Sequence, residues 1–242
     1  MSVSKLVIFF LSFFLLFSGF HQKALAANAN HLVISEVQTS GTNATTDDFI
    51  ELYNPTVNAF NLKGFRLVRR TQTAASDSTI KSWTTDTYIP ARGFYLWANS
   101  GYSAIAAAPD ATTTATIADN NSIALRQGAE NTGQVVDSLA WGSGHVASLG
   151  EGVPLQNILP DKSFERKAAA LSTQTSMAVG GLDELKGNAW DTEENSADFI
   201  LRAYSQPQNS LSPAEYPWCV AKKCQTKSPD KRKNIRCRNT IR

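Results

Sequence analysis

Residues 47–55 read DDFIELYNP, and the order of residue types there decides the fold. Side chains alternate along a strand, so Phe49, Glu51 and Tyr53 face one way and Ile50, Leu52 and Asn54 the other. Pro55 cannot donate to a ladder and biases Asn54 toward a turn, which ends the strand. A carboxylate in mid-strand, Glu51, is either on a solvated face or a paired buried charge; nine residues alone leave both open.

Working outward, the same grammar repeats. HLVISEVQ (31–38) reads as an alternating strand, and FNLKGFRLVRR (60–70) sets Phe65, Leu67 and Arg69 opposite Arg66, Val68 and Arg70. In GFYLWANS (93–100), Phe94, Leu96 and Ala98 share a face, and Tyr95 and Trp97 take the other. NNSIALRQ, QVVDSLAWG, SFERK and ADFILR complete the set, with Gly, Asn, Asp or Pro in nearly every gap. No segment sustains a 3.6-residue apolar period. Many short strands with turn signals predict an all-β, two-layer sandwich. Residues 71–86 are expected to form a long hairpin connection, and the Ala-, Ser-, Thr- and Gly-rich residues 168–189 a flexible crossover.

The chain has 242 residues, 42% hydrophobic and 18% charged, which suits one globular domain with appendages. Residues 1–26 read as a signal peptide: Lys5, an apolar core, then the small-residue site Ala24-Leu25-Ala26, with cleavage expected after Ala26. No later apolar stretch would span a membrane, so export to the cell exterior or envelope is expected. The formal net charge of +2 hides a division. The last 26 residues hold nine Lys or Arg against one Asp, and all three cysteines. The domain is expected over 27–210, and 211–242 as a disordered basic tail.

Seven blocks now carry a resemblance: HLVISEVQTSG, DDFIELYNPT, NLKGFRLVRR, GFYLWANS, SIALRQGAENTGQVVDSLAWG, SFERK and DTEENSADFILR…PQNS. In that order they resemble the lamin-tail domain family, particularly its secreted bacterial members, over about residues 31–210. The resemblance implies an immunoglobulin-like β-sandwich and makes DDFIELYNP the family's second-strand signature. It implies that Glu51 is a structural carboxylate; Glu36 is expected to be one too, on the reading of the residues themselves. Secreted members are often appended to hydrolases such as nucleases, which implies an accessory binding role. Eukaryotic lamin tails engage chromatin and protein partners, a distant relation. The 242 residues show neither a catalytic domain nor a coiled-coil rod.

A few residues could carry chemistry. Glu36 and Glu51, if adjacent, could act as acid and base or hold a cation; otherwise they accept hydrogen bonds from backbone or Arg. In DTEENSAD, Asp191, Glu193, Asn195 and Asp198 offer oxygens at alternating spacing that Ca²⁺ could accept, without the central Gly and terminal Glu of a helix-loop-helix site. The competing reading is a polar loop that fixes turns before FILR. Ser78 and Lys81 match S-x-x-K in a polar loop, and Asp137 is a conceivable base or a satisfier of backbone donors. No zinc-spaced His pair, G-x-S-x-G elbow or phosphate-cradling Gly loop occurs. No cofactor is expected, Ca²⁺ aside. Trp83, Trp97, Trp141 and Trp190 are either a stacking platform or core.

Lys222, Lys223, Lys227, Lys231, Arg232, Lys233, Arg236, Arg238 and Arg242 are candidates to bind a polyanion such as DNA or an anionic cell-wall polymer; a surface protein is a further possible partner. Cys219 and Cys224 could close a small loop, leaving Cys237 for an intermolecular bond. The resulting expectation is an exported, non-enzymatic β-sandwich that binds or tethers at the cell surface. A metal-dependent phosphodiester hydrolase using Glu36, Glu51 or the DTEENSAD acids is the alternative, and a structural surface protein assembling through Cys237 the third.

Overall fold

The structure, a computed structural model, describes residues 27–42, 44–103 and 107–217. The expected signal peptide, the nine tail cations and the three cysteines lie outside the described residues. The chain runs through β1 (Ala27–Asn28), β2 (Val33–Gln38), β3 (Phe49–Tyr53), β4 (Phe60–Asn61), β5 (Phe65–Thr71) and β6 (Ser78–Ser82). Then come β7 (Tyr88–Ile89), β8 (Phe94–Asn99), β9 (Ala111–Thr113), β10 (Asn121–Gln127) and β11 (Gln134–Ala140). Next follow β12 (Ser163–Arg166), β13 (Lys186–Gly187) and β14 (Trp190–Asp191). The helical turn α1 (Asn195–Asp198), β15 (Phe199–Arg202) and β16 (Tyr216–Pro217) close the described chain.

Two sheets make an immunoglobulin-like sandwich. One has six strands in the order β15-β12-β2-β3-β8-β9, the other four in the order β11-β10-β5-β6. All these pairings are antiparallel except β8 with β9, which is parallel. The inner faces share one core: Ile34, Val37, Ile50, Leu52, Tyr95, Trp97 and Phe164 against Phe65, Leu67, Ile80, Ile123, Leu125 and Leu139. Trp83, Trp97 and Trp141 are buried in it, so these three tryptophans pack rather than form a platform. Edge-to-face contact between Trp83 and Tyr95, with a 3.1 Å hydrogen bond from Nε1 to the phenol, orients that part of the core.

β2 departs from simple alternation. Ile34 and Val37 both enter the core although they are three residues apart. The register shifts between Ile34 and Glu36, so Ser35 is the extra residue of a bulge. Without it Glu36 would share the face of Ile34 and point into the apolar core. The bulge turns Glu36 outward, opposite Glu51.

Three other expectations change. The stretch 71–86 contains β6, an edge strand of the four-stranded sheet. Residues 168–189 end in β13, which pairs in parallel with β16, and the sheet contacts therefore continue to Pro217, past the expected boundary at 210. Ser78 and Lys81 fall on β6 at the register positions of Arg69 and Leu67. Among the described residues, no helix is long and apolar enough to cross a membrane.

Candidate functional site

The polar residues of DDFIELYNP all hold neighbouring chain. Asp47 accepts from the Ser103 N–H and hydroxyl, at 2.7 and 2.9 Å, and Asp48 from the Ile117 N–H at 2.8 Å. Asn54 donates to the carbonyls of Asn58 and Pro90 and accepts from the Thr56 N–H. Ile50 and Leu52 fill the core, while Phe49 and Tyr53 pack in two smaller apolar clusters on the outer face of the six-stranded sheet. Glu51 lies between those clusters, 2% exposed. It is buried, not solvated.

Glu51 is one member of a ladder. Glu36 on β2 is the register partner of Glu51 on β3, and Glu165 on β12 is the register partner of Glu36 on its other side. Three carboxyls therefore stand in a row across neighbouring strands. Ser163 Oγ donates to Glu36 and Ser35 Oγ to Glu51, each at 2.5 Å. Arg202 on β15 pairs with Glu165, and Asn188 Nδ2 donates to the other Glu165 oxygen at 3.0 Å. The chain after β15 crosses over the row. The Gln206 N–H donates to Glu36 at 3.1 Å and the Gln208 N–H to Glu51 at 2.5 Å.

Burial is the leading influence on these acids. It pushes Glu36 up to about 7, with hydrogen bonds from Ser163 and Gln206 opposing it. It raises Glu51 well above the usual carboxylate range, and the charge of Glu36 adds to the effect. Glu165 rises to about 8 and the nearby Glu215 to about 7 for the same first reason. At neutral pH the row is therefore partly protonated.

In the DTEENSAD loop the side chains of Asn195 and Asp198 hold neighbouring chain. Asn195 Oδ1 accepts from the N–H groups of Ala140 and Glu151, and its Nδ2 donates to the Ser138 carbonyl. Asp198 accepts from the Thr192 N–H and hydroxyl at 2.8 and 2.7 Å. Glu193 is exposed, and its N–H donates to Asp191 Oδ1 at 3.3 Å. Asp191 and Asp198 do converge, with Asp137, on a cation: the guanidinium of Arg166, fully buried on β12. Burial alone would lower the Arg166 pKa; the carboxylates around it outweigh that and raise it. Among the described residues no group of three or more His, Cys, Asp or Glu side chains is arranged to hold a metal ion.

Asp137 accepts from the Ile34 N–H at 2.5 Å as well as from Arg166, while Arg166 Nε donates to the Ile34 carbonyl. A second buried acid, Asp77, bridges Arg70 and Arg126 at 2.5 and 2.6 Å. Sequence reasoning missed Arg166, Glu165, Arg202 and Asp77. Each stands in an ordinary strand or loop pattern, and only pairing across strands distant in sequence marks it. A surface depression of about 380 Å³ is lined by Gly142, Ser143, Pro154, Leu155, Gln156 and Asn157, a lining without a titratable side chain.

Residues 26–143 match the family model of the lamin tail domain. No curated protein matches the chain. Among solved structures, a DUF4876 family protein from Bacteroides thetaiotaomicron is similar, with 12% identity, 78% of this chain and 74% of that one covered, and a TM-score of 0.47. The matched span contains Glu36, Glu51 and the strands through β11, and stops short of Glu165, Arg166 and the segment that crosses the ladder. Residues 26–143 of the chain belong to the lamin tail domain family.

Proposed function

We propose that this chain is an exported, non-enzymatic β-sandwich module that binds or tethers at a cell surface or envelope, with its basic C-terminal segment attracting a polyanion. The observation that carries the non-enzymatic reading is how the carboxylates are used. Glu36, Glu51, Asp137 and Asp198 each receive N–H or O–H donors from the chain itself. An acid or base for a substrate needs a free approach to the proton it moves. These groups are covered instead. The fold then serves as a rigid frame for its loops and for the nine cations that follow it. The signal-like residues 1–26 support export.

The test compares duplex DNA and an anionic cell-wall polymer, each titrated against residues 27–242 and against a chain ending at Pro217, at low and high salt. The cut lies at 217 because β16 belongs to the fold. Binding that needs 218–242 and weakens steeply with salt supports a polyanion tether. Equal binding by both chains moves the site to the sandwich loops. Metal-dependent phosphodiester turnover, abolished by Glu51→Gln in a folded protein, would replace this reading with the hydrolase.

A further inference from the structure

Residues 203–217 lie across the outer face of the six-stranded sheet as a strap. Every second N–H of its central part donates to a carboxylate: Gln206 to Glu36, Gln208 to Glu51, and Ser210 to Asp110 at 3.0 Å. Tyr53 Oη donates to the Glu215 carbonyl at 2.6 Å, the Glu215 N–H to the Arg92 carbonyl at 2.9 Å, and Lys162 Nζ to the Ala203 carbonyl at 2.8 Å. The strap's larger side chains contribute little burial. Tyr204 is 78% exposed, Leu211 89% and Tyr216 66%. Polar bonds to sheet carboxylates and to main chain hold this segment, and its end pairs as β16 with β13.

The charges beneath it do not balance. Glu36, Glu51 and Glu165 stand at adjacent strand spacing, about 4.8 Å. The cation in contact with the row is Arg202, which also reaches the Gln206 side chain and the Met177 carbonyl. The remaining groups facing the row and strap are the phenols of Tyr53 and Tyr102, Asp47 near Tyr102, Arg92 near Tyr53, Lys162 on the Ala203 carbonyl, Lys186 on β13 beside β16, Glu215 with Glu184 behind it, and Asp110 under Ser210. With all three ladder carboxyls ionised, two negative charges lack a cation of their own, and Glu36 and Glu51 are closed to water.

We propose that residues 203–217 are a pH-gated strap, closed while the Glu36–Glu51–Glu165 ladder retains protons and opened when the ladder ionises, because only the open form hydrates the carboxylates. The proposal rests on this geometry and is independent of what the basic segment binds. The raised values of Glu36 and Glu165 agree with it in sign: the closed form keeps protons that an opened, hydrated ladder would release. Closure is therefore favoured below the ordinary carboxylate range and weakens as pH climbs through about 7 and 8. Opening unpairs β16 from β13 and frees 15 residues, up to about 50 Å of chain, between the sandwich and the segment that follows.

Amide hydrogen exchange on the full chain at pH 6 and pH 9, normalised for intrinsic rates, tests this. Glu36 alone would lower the protection of Gln206 and Gln208 about tenfold across that interval, while Ile50 and Leu52 in the central strand β3 stay far better protected than either at both pH values. Glu36→Gln with Glu51→Gln preserves an acceptor oxygen at each position and should flatten the pH dependence. Unchanged protection of Gln206 and Gln208 in the unaltered chain overturns the proposal, whatever the variant does. So does protection of Gln206 and Gln208 equal to that of Ile50 and Leu52, which would mean that all four exchange only by global unfolding, or an undiminished pH dependence in the folded double variant.

Discussion

Arg166, on β12 of the six-stranded sheet, donates from one Nη2 to both oxygens of Asp137, on β11 of the four-stranded sheet, at 2.7 and 2.9 Å. Neither side chain has any solvent exposure. Both residues also bond the main chain of Ile34 beside the β2 bulge, so the pair completes hydrogen bonds where β12 no longer runs alongside β2. Removing one partner strands a buried charge. Arg166→Leu should destabilise the fold by about 3–5 kcal/mol in urea unfolding. Adding Asp137→Leu should cost less than the sum of the two single changes, since the charges disappear together. Additive costs would show that the two side chains act separately.

Stability should fall as pH rises from acid to mildly alkaline. Burial sets Glu36 and Glu215 at about 7 and Glu165 at about 8, all above the ordinary value of 4.5. The folded state holds protons that the unfolded chain has released. That contribution is complete below the unfolded value and is lost as pH passes through the folded ones, at about 1.4 kcal/mol per pH unit for each proton held. The urea midpoint should be higher at pH 5.5 than at pH 8.5. The reverse order would mean that these carboxyls are ionised and well compensated.

Gly187 leaves no room for a side chain. A Cβ there would lie 2.0 Å from Tyr53 Oη, the group that holds the Glu215 carbonyl. Gly187→Ala should cost about 1–3 kcal/mol through overpacking, seen as a lower thermal midpoint. An unchanged midpoint would place the 186–188 segment away from Tyr53.

Asn195 ties the DTEENSAD loop to β11 and to Glu151. Asn195→Ala would leave the N–H groups of Ala140 and Glu151 and the Ser138 carbonyl without their partner. A loss of about 2–3 kcal/mol is expected for buried groups left unpaired. A change below about 0.5 kcal/mol, the usual range of surface substitutions, would mean that water replaces the side chain there.

If the basic segment binds duplex DNA, its affinity should follow counterion release. Replacing Lys231, Arg232 and Lys233 by Gln should make the slope of log affinity against log salt shallower by about 2.7, roughly 0.9 for each phosphate no longer neutralised. An unchanged slope would exclude those three side chains from the DNA interface.

The local part of this protein was legible in its residues. Period-2 alternation with Gly, Asn, Asp and Pro stops marked the strands later seen as β2, β3, β5, β8, β10, β11, β12 and β15, because apolar alternation and turn chemistry act over a few residues. The sides of β3 and β8 followed in the same way, with Ile50, Leu52, Tyr95 and Trp97 turned into the shared core. Tertiary structure alone decided the rest. The Ser35 bulge breaks the alternation that the sequence suggests, and β6 lies in a stretch polar enough to read as a loop. Glu51 could be read as solvated or paired until Glu36, Glu165 and the strap came beside it from as far as residue 208. The DTEENSAD acids resembled a cation site, and two of them do surround a charge, that of Arg166. Burial, partner and protonation depend on which strands meet, and strand order comes from packing the whole chain rather than from any one segment of it.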